Sequence, residues 1–375
     1  MALPLVITLA VTAFAWPAAR LAPRDLPVGI VGTGTASQHA VEGLTHKQPG
    51  AFDLHIYPDQ QAARSAIENR DVYGAFVISS HNITVLQASA ASPSVAQLLG
   101  QAGQQLADRA TQQAATGTHS STKAQKTQKA QKIQTVQTVG MKAVDVVPVA
   151  AEDPRGVVFS SAVFPLTICG ILIGAFVAMA RGLRRPWHQV LTLLIACGAA
   201  GFGVHVVAQG FLGALPHGHV ATWAVLSLVL ISISATAAGL IRLVGPAGLG
   251  LTAALMVFVG NPFSGATSAP EMLPKGVDQV GQWLPPGAGA GLLRDTTYFD
   301  GNGGAGHLAA LALWSVCGLT AVMCGHWVTG EGRGSKTGAT ASGELVLALP
   351  GPGSASATGR HAHAHAHARR HDGDG

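Results

Sequence analysis

The chain carries little charge for its length. Only 11% of its 375 residues are Asp, Glu, Lys or Arg, against roughly 25% in an ordinary soluble domain. A soluble fold of this size needs far more charge on its surface, so this scarcity excludes a soluble enzyme. Because 48% of the residues are apolar, an intrinsically disordered chain is excluded as well. The composition predicts a polytopic membrane protein with a sizeable soluble part.

Cysteine is also scarce, with four residues in the whole chain. Cys169, Cys197, Cys317 and Cys324 all fall in apolar stretches, and no Cys-x-x-Cys pair occurs. This excludes a disulfide-rich secreted module and predicts no disulfide framework in the soluble part. We interpret the four side chains as small apolar residues in helix packing.

Long runs without any charged residue predict the membrane spans, since about 18 consecutive apolar residues suffice to cross a bilayer. The longest run, from Arg185 to Arg242, holds two helices separated by the turn-rich segment 215–219. With the apolar N-terminal segment, six spans are predicted. They are Leu3–Ala19, Val157–Ala180, Trp187–Phe211, Val220–Ile241, Val244–Gly260 and His307–Val328.

The first segment, residues 1–19, lacks the basic residues that precede the apolar core of a standard signal peptide. We expect an uncleaved membrane anchor. Two alternatives stay open: a cleaved signal, with Ala13-Phe14-Ala15 as the cleavage motif, and a true start upstream of Met1.

The short loop after the second span sets the expected orientation. It contains Arg181, Arg184 and Arg185, and basic loops stay on the cytoplasmic side. The chain is therefore predicted to lie in the cell membrane with residues 25–156 extracytoplasmic and the tail, residues 329–375, cytoplasmic.

The sequence pattern of the soluble part predicts a small α/β domain over residues 25–110, with its elements in the order β-β-α-β-β-α. Alternating or continuous apolar runs indicate the strands, and Asp59 precedes an amphipathic helix. Residues 111–156 form a low-complexity linker, rich in Lys and Gln, and the return to the membrane. The predicted strands and helices are Pro27–Gly32, Phe52–Tyr57, Gln60–Arg70, Val72–Ile78, Ile83–Gln87 and Val95–Gln105.

Residues 157–328 form the predicted five-helix membrane domain, whose outer loop, residues 261–306, is expected to hold short helices at the outer interface. The tail is expected to be disordered and rich in His and Ala. Its alternating histidines would face one side of an extended chain, which suits Zn²⁺ or Ni²⁺. We interpret them as adventitious ligands and expect no metal site. They are His361, His363, His365 and His367.

Several local motifs resemble those of one family of membrane proteins. Leu26–Val31 and Tyr73–Ile78 resemble parts of the soluble domain in that family. Asp153-Pro154-Arg155-Gly156 resembles the segment that leads to the family's second span, and Gly260-Asn261-Pro262 and Leu284-Pro285-Pro286 resemble parts of its outer loop. Over roughly residues 1–330 the chain resembles the ABC type-2 export permeases, in the branch with a large extracytoplasmic domain between the first two membrane helices.

That resemblance implies a permease subunit of an ATP-driven exporter, working in the lipid bilayer as a homodimer or heterodimer with a separate ABC ATPase subunit. ATP would bind to the partner, so no cofactor is expected in this chain. Arg181, Arg184 and Arg185 are candidates for coupling to the ATPase. The family usually has a cytoplasmic amphipathic helix before its first span, whereas this sequence begins inside that span. Either the start lies upstream or the docking surface is incomplete.

The remaining motifs give no sign of catalysis. Gly330-Glu-Gly-Arg-Gly334-Ser-Lys336-Thr337 lacks the spacing of a phosphate-binding loop, and no catalytic triad or carboxylate pair is evident. We therefore expect no enzyme activity and no nucleic-acid partner. His205, inside a span, is a candidate for lining the pathway.

Small residues spaced by four on the second span predict close helix packing, either within the subunit or between subunits. They are Gly170, Gly174 and Ala178.

The alternative to an exporter subunit is a membrane-anchored ligand- or phage-binding protein, or a secretion-accessory protein, without transport activity.

Overall fold

The computed structural model describes residues 2–32, 34–47, 49–79, 82–120, 139–153, 156–180, 182–183, 185–213 and 218–341. The chain divides into two units, Met1–Thr329 and Gly330–Gly375. The fourfold His/Ala pattern of the tail lies outside the described residues, and so do Arg181 and Arg184.

The α/β domain follows the first helix, α1 (Ala2–Ala19). The strands are short, and two of the helices begin at polar caps: Asp59 accepts a hydrogen bond from the Ala62 amide at 2.8 Å, and Ser92 accepts one from the Val95 amide at 3.3 Å. Its elements are β1 (Leu26–Val31), α2 (Thr35–Lys47), β2 (Phe52–Tyr57), α3 (Gln60–Glu68), β3 (Gly74–Ile78), β4 (Asn82–Gln87), α4 (Pro93–Ser120) and β5 (Gly140–Asp145).

These strands form one five-stranded sheet in the order β2-β1-β3-β4-β5. β1 runs parallel to β2 and β3, β4 is antiparallel to β3, and β5 is parallel to β4. Leu26, Val28 and Ile30 of β1 are fully buried, as expected for a strand inside a mixed sheet. A Cβ at Gly29 would lie 2.8 Å from the Ala75 Cβ, so only glycine allows β1 and β3 to approach this closely.

Two elements correct the sequence prediction for this domain. Helix α2 lies between the first two strands, where no helix was predicted, because its small and polar residues give no clear apolar stripe. The predicted end of the domain at residue 110 was wrong, since Gly140–Asp145, assigned to the linker, pairs with β4. α4 also extends past its predicted end to Ser120.

The remaining helices build a bundle. α6 and α8 each continue as a π-helix, over Val206–Phe211 and Ala254–Gly260 respectively. The helices are α5 (Val157–Met179), α6 (Pro186–His205), α7 (His219–Val244), α8 (Ala247–Ala253), α9 (Val277–Trp283), α10 (Pro285–Tyr298) and α11 (Ala305–Ala341).

Four helices of the described part are long and apolar enough to cross a membrane: Ser160–Met179, Pro186–Gly210, His219–Val244 and Ala305–Gly325. They coincide with the second, third, fourth and sixth predicted spans. The first and fifth correspond to shorter apolar helices, Ile7–Ala19 and Ala247–Gly260. The prediction of a polytopic helical fold is thus confirmed, whereas the count of six stays a prediction.

Helix α7 lies at the centre of the bundle and packs against α5, α6, α8 and α10. Most of its residues are buried, including Val229, Leu230 and Ile233. An all-round apolar helix is the pattern expected of a span enclosed by other spans.

Helix α10 corrects the expectation for the segment 261–306. Short helices were expected to rest at a surface, but almost every residue of α10 is buried, and the helix packs against α7, α9 and α5. Its small residues explain this, because Gly289 lies directly against Val229 of α7, where a Cβ would approach a Val229 methyl to 2.7 Å. The helix is an internal element of the bundle.

Candidate functional site

A network of charged side chains joins the α/β domain to the bundle. Arg70 follows α3 in the left-handed region, with φ 65°. The guanidinium pairs with Asp295 of α10 and lies over the Phe299 ring, 5.2 Å from its centroid. Asp295 is fully buried, so this ion pair is shielded from solvent.

Asp295 also contacts a second side chain, that of His307. Its other carboxylate oxygen lies 2.9 Å from Nδ1 of His307 on α11, and Nε2 of His307 lies 3.1 Å from Oε1 of Gln282. The Gln282 amide is oriented because its Nε2 donates to the Ser264 carbonyl at 2.8 Å. Each ring nitrogen of His307 therefore has one partner, and the tautomer decides which of the two nitrogens donates.

Two further contacts complete what we call the junction network (Arg70, Tyr73, Glu271, Gln282, Arg294, Asp295 and His307). The Tyr73 hydroxyl donates to Glu271 at 2.7 Å. Burial, reinforced by the charge of Glu271, raises the pKa of Tyr73, so the phenol stays a donor. Burial, with the nearby charge of Arg70, lowers the pKa of Arg294 to about 10, and Nη2 of Arg294 donates to the Ala266 carbonyl at 3.2 Å.

All of these residues except Asp295 line a cavity of about 390 Å³. Arg70 and Tyr73 enter it from the α/β domain, and Glu271, Arg294 and His307 enter it from the bundle side. Cations and carboxylates face one another here, although the buried Oδ1 of Asp278, which also lines the cavity, has no hydrogen-bond partner among the described residues. The arrangement holds two parts of the chain in a fixed relation.

Apolar and backbone contacts strengthen the same junction. Ala269, Met272 and Phe299 belong to the hydrophobic core of the α/β domain. The amides of Ala22 and Arg24 donate to the carbonyls of Met272 and Glu271, each at 3.0 Å. The α/β domain is therefore packed on the 261–306 segment along a continuous face.

A sequence model of the ABC-2 family transporter proteins matches residues 1–323. The chain belongs to this family. Comparison with curated proteins and with solved structures gives no match. As the membrane component of an ABC-type transporter, this permease is a multi-pass membrane protein, and permeases of the family generally work with an ABC ATPase.

Of the three predicted ATPase-coupling residues, the structure of this permease describes one, Arg185. Arg185 is exposed and directly precedes α6, in an extended conformation with φ −85° and ψ 130°. Its carbonyl accepts a hydrogen bond from the His188 amide at 3.1 Å. An exposed arginine at a helix start is accessible to a partner, but the coupling role itself stays a prediction.

The predicted pathway residue, His205, is half-buried near the end of α6. Its ring lies edge-on to that of His219, with centroids 6.0 Å apart. Within the described part of the chain, its Nδ1 has no hydrogen-bond partner, and neither does the side chain of Gln209, one turn further along. Its role in lining a pathway stays a prediction.

The small residues of the second span lie inside the permease subunit. A Cβ at Gly170 would lie 2.9 Å from Ile233, and one at Gly174 would lie 2.8 Å from the Ala237 Cβ. Ala178 is partly buried and packs against the cluster around Leu193 and Ala238. Of the two alternatives, these contacts are those of packing within one subunit, against α7.

The junction network was not predicted from the sequence. Arg294 and Asp295 are adjacent charges in a segment poor in charge, and that scarcity was the available signal. Their partners come from distant parts of the sequence, because Arg70 and Asp295 are 225 positions apart.

Proposed function

We propose that this permease forms the membrane path of an ATP-driven exporter whose ATP is hydrolysed by a separate ABC ATPase. The family membership of residues 1–323 carries this proposal. A further argument comes from Gly330–Thr337, which lies within helix α11, whereas a phosphate-binding loop connects a strand to a helix.

The proposed orientation places the α/β domain outside the cell and the loop at Arg185 inside. The chain leaves α1 at Ala19, enters the α/β domain, and returns to the bundle at Val157, so the domain lies at one end of the bundle. The basic loop follows the opposite end of α5. Basic short loops favour the cytoplasmic side.

Within this proposal the junction network couples the α/β domain to transport. Asp295 on α10 connects Arg70 of the domain to His307 of α11. A shift of α10 or α11 during an ATPase cycle would therefore move the α/β domain, because a buried ion pair resists separation.

The partner is tested by purifying the tagged permease from its native membrane in mild detergent. We expect an ABC ATPase to co-purify and to hydrolyse ATP, while the permease purified alone does not. ATP hydrolysis by the permease alone would contradict the proposal. If no ATPase is retained, the alternative of a ligand-binding or secretion-accessory protein without transport takes its place.

The orientation is tested by cysteine labelling in a variant without the four native cysteines. A cysteine introduced at Gln128 should react with a membrane-impermeant maleimide on intact cells, and one at Ser354 should react only after lysis. The opposite pattern would reverse the proposed orientation without bearing on ATPase binding.

A further inference from the structure

A pocket of about 150 Å³ opens between helices α2 and α4 of the α/β domain. Gly43 and Leu44 of α2 form one wall, and Phe52 at the start of β2 adds its ring. A second wall is the face of α4 from Leu98 to Arg109, where the lining residues recur every three or four positions. We call this the α2–α4 pocket. It shares no lining residue with the cavity at the junction network, so it is a separate site.

The interior of the α2–α4 pocket is apolar. Leu44 and Leu106 are buried, and Phe52, Leu98 and Ala102 pack, partly buried, against the core of the α/β domain. Apolar side chains that border an unfilled space lack dispersion partners on that side. An apolar group that enters the pocket gains these contacts and leaves water. In proteins, a cavity of this volume is large enough for one benzene molecule, so the pocket suits an apolar group of about six carbons.

Arg109 brings a cation to the pocket. Its Nη1 lies 3.3 Å from the point that a Cβ of Gly43 would occupy, so the guanidinium extends from α4 to the backbone of α2. Among the described residues, Arg109 forms no hydrogen bond or ion pair. No described carboxylate lines the pocket, and the neighbouring Asp108 accepts a hydrogen bond from Gln104 at 3.1 Å. The guanidinium is therefore available to an anion from outside the described chain.

Two glutamine side chains continue the polar edge of the pocket. Gln101 and Gln105 precede Arg109 by eight and four residues, so the three side chains lie along one line of α4. Both glutamines line the pocket and are exposed. In the described part of the chain neither side-chain amide is used in a hydrogen bond, and each amide nitrogen can donate to an oxygen acceptor. The pocket thus combines an apolar interior with a cationic edge that donates hydrogen bonds.

We propose that the α2–α4 pocket binds a small carboxylate that carries an apolar group of about six carbons. The apolar group lies against Leu44, Phe52 and Leu98, and the carboxylate lies at Arg109 within reach of Gln105. A guanidinium binds a carboxylate through two parallel hydrogen bonds. An apolar cation would meet Arg109 with like charge, and a neutral molecule would leave it unpaired. This binding does not depend on the proposed exporter function, because a site on the α/β domain requires no transport.

The test measures the binding of phenylacetate to the full-length permease in lipid nanodiscs by saturation-transfer difference NMR, with empty nanodiscs as the blank. We expect saturable binding that is about tenfold tighter than that of phenylacetamide, because the amide keeps the ring but loses the charged hydrogen bonds. Phenethylamine, which carries the opposite charge, should not compete with phenylacetate.

Two matched pairs of variants separate the two parts of the site. Arg109→Gln should weaken phenylacetate binding about tenfold and leave phenylacetamide binding unchanged, since only the charge pairing is lost. Its control, Arg64→Gln on α3, removes a charge outside the pocket lining and should bind as the wild type does. Ala102→Trp fills the pocket and should abolish the binding of both compounds. Gln104→Trp places the same side chain at an exposed position of α4 outside the lining and should retain it.

Equal affinity of the wild type for phenylacetate and phenylacetamide would overturn the proposal, and so would the absence of saturable binding. Undiminished phenylacetate binding by Arg109→Gln would also overturn it, because the carboxylate would then lie elsewhere. If Ala102→Trp does not fold, Arg109→Gln with the two compounds decides the question, since within the described residues its side chain has no partner to lose. Retention or loss of an ATPase on purification does not change these outcomes.

Discussion

At the scale of single residues, Asp295 is the carboxylate that Arg70 and His307 share. It has no exposed surface, and it contacts both Arg70 and His307. A buried ion pair contributes little net stability, but removing one partner leaves an uncompensated buried charge. The exposed pair between Lys275 and Asp25 is the opposite case, because solvent surrounds both groups.

We therefore predict that Asp295→Asn lowers the free energy of unfolding by about 3 kcal/mol. The cost arises because Arg70 and His307 lose the carboxylate that they share. The control, Asp25→Asn, removes an exposed pair and should cost less than about 1 kcal/mol. Thermal unfolding of the purified permease in detergent measures both.

A double-mutant cycle sharpens this prediction. Arg70→Gln combined with Asp295→Asn should cost clearly less than the sum of the two single changes, because the second substitution removes a charge that the first has already left unpaired. Equal effects of Asp295→Asn and Asp25→Asn, or strict additivity in the cycle, would show that the junction pair does not hold the two parts together.

The sequence did not reveal this pairing, for a physical reason. Local periodicity reports which face of an element is apolar, but not which distant element it meets. The charges of Arg70 and Asp295 are visible in the sequence, yet their contact depends on how β3, α10 and α11 are placed in space. The small-residue spacing of Gly170 and Gly174 was visible as well, because that signal lies within one helix.

At the scale of elements, the contact between α5 and α7 depends on missing side chains. Gly174 faces Ala237, where a Cβ would approach the alanine methyl to 2.8 Å. Small residues at such positions allow two membrane helices to come close, and dispersion contacts then replace lipid contacts.

Gly174→Ala should therefore destabilise the permease by about 1–3 kcal/mol through overpacking. The matched control is Gly198→Ala on α6, where a Cβ would meet nothing within 4 Å. It should be neutral or stabilising by up to about 1 kcal/mol, because alanine favours the helix. Thermal unfolding of the two variants is the measurement. If Gly198→Ala proved the more damaging, the glycines of α6 would have to contact something outside this subunit.

Most helices and strands could be predicted, and the exceptions share a cause. The apolar spans and the strands β1 to β4 have strong periodicity or apolar runs. Helix α2 and strand β5 do not: α2 is rich in small and polar residues, and β5 has mostly exposed side chains. Their places are decided by backbone pairing and packing in the assembled domain, which local pattern does not encode.

The fifth strand changes the expected limits of an autonomous domain. Ser89 N donates to the Asp145 carboxylate at 3.1 Å, and Ala90 N donates to the Val147 carbonyl at 3.1 Å. A fragment of residues 25–149 should therefore unfold cooperatively, whereas residues 25–110 should unfold at a lower temperature because the edge of β4 is uncovered. Circular dichroism during heating compares the two fragments, and identical transitions would show that β5 adds nothing to the domain.

At the scale of the whole molecule, composition and charge placement indicated the class of protein, and the family match over residues 1–323 agrees with that class. The polytopic helical architecture follows from the absence of charge over long runs. The contact of the α/β domain with α10 and α11 does not follow from these charge-free runs, because it depends on a few polar contacts at the junction. In the proposed exporter, energy coupling has to connect the junction network at one end of the molecule with the basic loop before α6 at the other end.

The basic loop before α6 can be tested for contact with the ATPase. Arg184→Lys combined with Arg185→Lys keeps the positive charge that orients the spans, but removes the planar guanidinium groups that form paired hydrogen bonds with carboxylates. If the loop contacts the ATPase, the double variant should insert normally, retain less ATPase on purification and lose transport-linked ATP hydrolysis. Cysteine labelling at Gln128 and Ser354 verifies the insertion, and co-purification with ATP turnover gives the readout.

The alternative for this loop makes a different prediction from the same variant. If the arginines only set the topology, lysine replaces them fully, and both co-purification and turnover stay at the wild-type level. Replacing Arg184 and Arg185 by Gln would then disturb insertion, because the charge bias itself is lost. Normal insertion with impaired ATPase binding in the lysine variant therefore assigns the loop to coupling. Disturbed insertion in the glutamine variant, with an unaffected lysine variant, assigns it to topology alone.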